Sequence, residues 1–336
     1  MLNPFETNDA FSMVSLTKAI NLLPNNYGRL KQMNLMPGKG VRTRSIVVEE
    51  RAGVLTLLPT QPVGAPGLQN AMGKRTVRTF VIPHIPLDDT ILPDEYQGIR
   101  AFGQEDGTAA LAQVVNDHLQ TMRNKHAITL EHLRMGALKG IIYDADGSTV
   151  LYNLYTEFGI TAKTIDFVLD NSATNVGGKC RESVRHIEDN LKGDVMSGVH
   201  CLCDENFFDA LVSHDNVKEA YMYHSEASQR LGEDNRKGFR FNGITFEEYR
   251  ASATGSAGST VAFIPANTGY IFPVGGQSTF ETLFAPADFT ETANTLGLEL
   301  YAKQEPRKFN RGVDLHTQSN PLPICYRPGV IVTATI

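Results

Sequence analysis

Residues 107–140 read GTAALAQVVNDHLQTMRNKHAITLEHLRMGALKG, and the spacing of their apolar side chains decides the kind of molecule this chain can be. Leu111, Val115, Leu119 and Met122, then Leu130, Leu133 and Ala137, recur at intervals of three and four with no proline among them, the period of one helical face. At 1.5 Å per residue a continuous helix here spans about 50 Å, long for a globular domain. Its histidines, His118, His126 and His132, fall at intervals of eight and six. None therefore makes an i, i+4 metal pair, and all three read as side chains of the helix surface.

Upstream the pattern changes to strands. VRTRSIVVEERAGVLTLLP is rich in β-branched residues, and KRTVRTFVIPHIPL alternates so that Val77, Thr79 and Val81 share a face. Residues 59–74 join them through PTQPVGAPGLQNAMGK, with three prolines and three glycines, a connector too long to be idle inside a compact domain. The natural reading is a two-stranded ribbon with a wide tip. Such a ribbon lacks a third strand or helix to cover its apolar face and asks for a partner surface, unless its strands join a larger sheet of the same molecule. Residues 1–40 mix short apolar clusters with Pro and Gly, the pattern of an extended arm carrying one short helix that cannot bury itself.

Downstream, IIYDADGSTVLYNLYTEFG carries a hairpin signal at Asp146-Gly147, CRESVRHIEDNLKG is helical, and the β-branched run VIVTATI suits a last strand. The 31 Lys+Arg and 37 Asp+Glu give a net charge of -6 with no basic arm, which argues against a nucleic-acid reader. No apolar run reaches the length of a membrane span and no secretory leader is evident, so synthesis in the cytosol is expected. The four cysteines, Cys180, Cys201, Cys203 and Cys325, are too few and too unevenly spaced for a disulfide framework and read as reduced thiols.

Catalytic motifs fail one by one. ATGSAGST has no Lys for a phosphate loop, no serine occupies a G-x-S-x-G elbow, H-E-x-x-H is missing, and DADG is a turn because no Glu closes a calcium loop. The exception in density is GVHCLCDENFFDALVSH, residues 198–214, which gathers His200, Cys201, Cys203 and His214. A metal- or thiol-dependent hydrolase would be built on these four. Structural zinc, however, pairs cysteines two to four residues apart and needs a second pair, and His200 faces away from Cys201 on a strand. Asp204 is a good N-cap, and Phe207, Phe208, Leu211 and Val212 form one helical face, which leaves His214 at the helix end. The plainer reading is a buried strand, its small thiols filling one face, that leads into a capped helix.

Taken in order, SLTKAINLLPNNYGRLKQMNLM, GVHCLCDENFFDALVSHDNVKEAY, FRFNGITFEEYR, FAPADFTETANTLGLELYAKQEP and RGVDLHTQSNPLPICYRPGV resemble the major capsid protein E family of lambda-like tailed bacteriophages and prophages. The resemblance runs over nearly the whole chain and implies an α+β Hong Kong 97-like phage capsid fold. Residues 1–40 would be the N-terminal arm and 41–92 the extended β-hairpin loop. Residues 93–190 and 315–336 would be the peripheral domain, with a spine helix at 107–140, and 191–314 the axial domain. The implied function is a structural shell subunit that self-assembles into pentamers and hexamers of an icosahedral shell enclosing double-stranded DNA. The long helix argues against the other self-assembling candidate, a sheet-dominated tail tube.

The same resemblance implies scaffold, decoration and portal proteins as partners, packaged DNA held without sequence-specific contacts, a virion location after assembly in the bacterial cytoplasm, no membrane and no cofactor. No catalytic or metal-binding residue is expected, and the Lys, Asn and Glu that cross-link some members of the wider fold have no identifiable counterparts. Arg42, Arg44, Arg51, Lys74, Arg75 and Arg78 gather near the ribbon. They are the expected inter-subunit contacts, paired with a neighbour's Asp88, Asp89, Asp94 and Glu95, unless they simply form a solvated strand face.

Overall fold

The computed structural model describes residues 13–22, 28–51, 75–96, 107–218, 220–222, 237–255, 258–276 and 279–336. The connector 59–74 lies outside them. Gly107–Lys139 is one α-helix of 33 residues, as its periodicity dictates. It stops at Gly140, whose φ of +79° is left-handed and whose place beside the Tyr155 ring leaves a Cβ only 2.3 Å of room.

The helix joins two hydrophobic cores. Val115, Leu119 and Met122 pack with Leu16, Ile20, Ile91, Val313 and Leu315 in one; Leu133, Met135 and Leu138 belong to the larger one, which runs on into the main sheet. Between them lies a buried polar stretch. His126 and His132, expected on the helix surface, are only 7% and 9% exposed, because this helix is covered on more than one side. His126 Nε2 lies 3.0 Å from Thr317 Oγ1, and His132 Nε2 donates to Asp144 O at 3.1 Å. Glu131 and Arg134 are buried beside them.

The main sheet has six strands in the order Lys163–Asp166, Val332–Thr335, Thr268–Val274, Gly198–Cys203, Ile244–Glu248 and Lys237–Phe241. The outer Lys163–Asp166 is parallel to Val332–Thr335, and Ile244–Glu248 is parallel to Gly198–Cys203; the other pairings are antiparallel. Helices Val176–Asn190 and Glu205–Ser213 pack against its Thr268–Val274 strand. These pairings cut across the division expected from sequence. Val332–Thr335 and Lys163–Asp166, assigned there with the spine helix, hydrogen-bond into the sheet of the 191–314 segment. Residues 280–313, assigned to that segment, form strands beside the spine helix instead. Pairing across such sequence distances leaves no local signal.

Two three-stranded sheets flank the long helix. One orders Gly38–Gly40, Phe280–Phe284 and Pro321–Cys325; the other orders Tyr301–Pro306, Val313–Ser319 and Ile85–Ile91. The first strand of the first sheet comes from the expected arm. Residues 28–40 are built into the body: Leu30, Leu35 and Met36 are buried, and Leu30 N–H donates to Glu131 Oε1 at 2.8 Å. Arg29 grips Glu247 with two bonds of 2.6 and 2.8 Å, and Lys31 reaches Glu299 at 2.7 Å. The arm thus buries its hydrophobic residues against elements far away in sequence. Helices Met13–Leu22 and Arg29–Gln32 replace the single short helix expected.

Candidate functional site

Ser45–Arg51 and Arg75–Val81 pair antiparallel as a ribbon, Val47 opposite Thr79, and among the described residues these two strands join no larger sheet. The faces of the ribbon differ. On the inner one, Phe80 is buried against Phe158, ring centroids 6.2 Å apart, and edge-on to Tyr152 at 5.3 Å. Tyr152 OH accepts from Val81 N–H and donates to Val81 O. On the outer face Val47, Val77 and Val81 are 58%, 58% and 59% exposed. Three aliphatic side chains on one side of a two-stranded ribbon form an apolar stripe that the described residues leave uncovered.

The expected contact residues divide. Arg42 and Arg44 are exposed at the ribbon's root. Arg78 is held internally, its guanidinium 4.9 Å above the Phe158 ring and bonded to Glu157 O. Arg51 lies opposite Arg75 in the backbone register, and Lys74 lies outside the described residues. Three of the four acidic partners already have a histidine from the same chain. Asp89 and Glu95 bracket His118, at 2.7 Å from Nδ1 and 2.9 Å from Nε2, and Asp88 lies 2.5 Å from His316 Nδ1. Partial burial disfavours the charged imidazole of His118, but the bonds to its two carboxylates outweigh this and raise its pKa. Asp94 is exposed.

A second projection carries no expectation from sequence. Tyr301–Pro306 and Val313–Ser319 form a hairpin closed by Arg307 N–H to Gly312 O, 3.0 Å, and its tip reads RKFNR over residues 307–311. Phe309 there is 89% exposed and left-handed at φ 64°, a conformation that costs an L-residue roughly 1–2 kcal/mol. Arg311 lies 5.7 Å from its ring, and Arg307 pairs with Asp314 at 2.9 Å. The signal available in the sequence is the aromatic set among three cations ahead of Gly312.

The thiol cluster is structural. Cys201 and Cys203 are fully buried, with Gly269 packed so closely that a Cβ there would come within 3.0 Å of Cys201 Sγ. Burial pushes the Cys201 thiol well up, the opposite of what a nucleophile needs. His200 points to Glu247 Oε2 at 3.1 Å, and His214 Nε2 donates to Asn171 O at 3.0 Å at the end of its helix. Asp204 caps that helix through Asn206 N–H. Glu247 is buried, which favours its neutral form, but His200 and Arg29 more than offset this and lower its pKa. Among the described residues no three His, Cys, Asp or Glu side chains are placed to hold a metal. No helix there is long and apolar enough to cross a membrane.

Comparison with known proteins bears on the fold and on the family. The major capsid protein of Pseudomonas phage KPP10 is 31% identical over 96% of this chain and 96% of its own length; that of Salmonella phage Felix O1 is 28% identical over 96% and 95%. A crystal structure assigned to a prophage capsid protein of E. coli CFT073 superposes with a TM-score of 0.61 at 14% identity, covering 97% of this chain and 99% of that one. The mature capsid subunit of bacteriophage PhiM1 gives 0.51 at 11% identity, covering 94% and 88%. The fold, α+β with a spine helix, an extended ribbon and a large mixed sheet, is the Hong Kong 97-like capsid fold. The family description "Phage major capsid protein E" matches residues 12–336, and the chain belongs to that family.

Proposed function

We propose that this chain is the major head subunit of a tailed bacteriophage or prophage, associating with copies of itself into pentamers and hexamers of an icosahedral shell around double-stranded DNA. The observation that carries the reading from family to function is the ribbon, whose inner face is rooted in the body and whose outer valine stripe the described residues leave open. A neighbouring copy overlapping that face would cover the stripe, and many modest contacts would sum into a closed assembly. The subunit is structural and has no catalytic role. Scaffold, decoration and portal proteins are its further partners, assembly takes place in the host cytoplasm, and the mature location is the virion. The net charge of -6 suits a wall that must not hold the genome tightly, since each Lys or Arg on a phosphate releases counterions and adds affinity.

The domain plan that accompanies this reading takes residues 1–40 as the arm, 41–92 as the extended loop, 93–190 and 315–336 as the peripheral domain with the spine helix, and 191–314 as the axial domain. Strand Val332–Thr335 crosses between the two domains to pair with Thr268–Val274. Arg42, Arg44, Arg51, Lys74 and Arg75 face acidic residues of a neighbour, and Arg78 joins them by leaving the Phe158 ring and Glu157 O. Asp94 is open to such contacts as it stands, whereas Asp88, Asp89 and Glu95 exchange a histidine for them. Electron microscopy and sedimentation of the full-length protein test the reading. Regular shells or capsomers are expected, and loosening by high salt supports the ionic contacts. A protein that stays monomeric at every concentration, with and without its scaffold, would end the proposal.

A further inference from the structure

The tip at residues 307–311 is an exposed aromatic among cations, and a groove of matching character lies on the sheet that carries it. Asp88, Asp89, Asp288, Glu305 and Asp314 line this groove, of about 670 Å³, against Lys303, Arg307 and the imidazole of His316, so five carboxylates face two permanent positive charges and one histidine. Phe289 supplies an apolar wall; it is half-buried, with its ring 5.6 Å from the His316 ring and Lys303 Nζ 5.1 Å above it. The tip has the reverse balance. Arg307 is matched by Asp314, but Lys308 has no ionic partner among the described residues and Arg311 only the Phe309 ring.

We propose that the hairpin tip of one copy seats in the acidic groove of a second copy, Phe309 against Phe289, with Lys308 and Arg311 toward Glu305 and Asp288. The inference rests on the shell-subunit reading and names a contact within it. Tip and groove adjoin at Arg307, which lines the groove, and Phe309 of one copy meeting Phe289 of the next, head to tail and repeated by a rotation, closes a ring of copies around their tips. A largely exposed phenylalanine held left-handed gains nothing in the lone subunit, and covering it gives the geometry its use. Opposite charge fixes the register and suppresses tip-to-tip contact. Nucleic acid would also welcome Arg, Lys and Phe, but the groove offers both carboxylates for the cations and the Phe289 ring for Phe309, which favours it.

Full-length protein variants test the contact, with the wild type measured alongside. Phe309→Gly suits the left-handed backbone, so the subunit should melt no lower than wild type, while the threshold concentration for assembly rises about tenfold or more. Lys308→Glu with Arg311→Glu should abolish assembly of a folded subunit. Because the native cysteines are all buried, Phe309→Cys combined with Asp288→Cys can be oxidised selectively, and a ladder of covalently linked copies is expected. If wild type assembles while the glycine and charge variants assemble at its threshold and no ladder forms, the tip contact is overturned and the shell reading stands. If those variants change only DNA binding, the tip contact is likewise overturned. If wild type itself never assembles, both readings fall together.

Discussion

The ribbon and the 301–319 hairpin are both antiparallel pairs of strands that project from the body, yet only one of them is finished by its own chain. The hairpin has a third strand, Ile85–Ile91, and behind it Val313 and Leu315 fill a core with Leu119 and Met122. Only its tip is open. The ribbon has no third strand among the described residues and is held at its root by Phe80, Phe158 and Tyr152, while its outer valines are more than half exposed. Backing, rather than strand length or propensity, separates an element that is stable in the lone subunit from one that is waiting for a neighbour.

The hardest blow to that contrast is at the ribbon's root. Phe80→Ala removes the buried ring on which the ribbon rests and should cost about 3–5 kcal/mol in denaturant unfolding; a loss below about 1 kcal/mol would mean that the ribbon is not anchored to the body. Behind the hairpin the equivalent probe is His126, whose burial, helped slightly by His316, lowers its pKa from 6.5 to about 4. The unfolded chain binds this proton below about 6.5 and the folded one only near 4. The stability that neutral His126 contributes is therefore present above pH 6.5 and lost as pH falls toward 4, about 3 kcal/mol in all. His126→Gln should flatten the slope of unfolding free energy between pH 7 and 4.5.

Smaller effects sharpen the contrast. Cys201→Ala with Cys203→Ala removes two small side chains packed on Gly269 and should cost about 1–2 kcal/mol while shells still form; complete unfolding with loss of a bound metal would restore the discarded site. The smallest change in subunit stability, within about 0.5 kcal/mol, is expected for Val47→Thr with Val77→Thr on the ribbon's outer face. Their effect belongs to assembly. Light scattering should show a higher threshold for shell formation at unchanged melting temperature, and an unchanged threshold would leave the stripe without a partner.

What could be read from the sequence is what repeats locally. The 3.6-residue period delivered the long helix, β-branched alternation delivered the ribbon, and Asp204 with the Phe207 face delivered a capped helix. His126 and His132 were misread because periodicity marks one buried face and is silent about a helix wrapped on several sides. The arm was legible as an arm, but its burial depends on Glu131, Glu247 and Glu299, which no nearby residue announces. For the same reason the acidic segment read as free for a neighbour, since His118 and His316 reach it only in three dimensions.

Arg29 is bonded to a carboxylate 218 residues away, and Leu30 N–H to one 101 residues away. During synthesis Leu30 must therefore wait for the spine helix, and Arg29 for strand Ile244–Glu248, with apolar surface exposed meanwhile. Contacts of such separation fold slowly and leave apolar surface open to aggregation. The arm's anchor thus acts as a two-stage timer: a chain interrupted before residue 247 can set Leu30 on the spine helix but leaves Arg29 without its carboxylate.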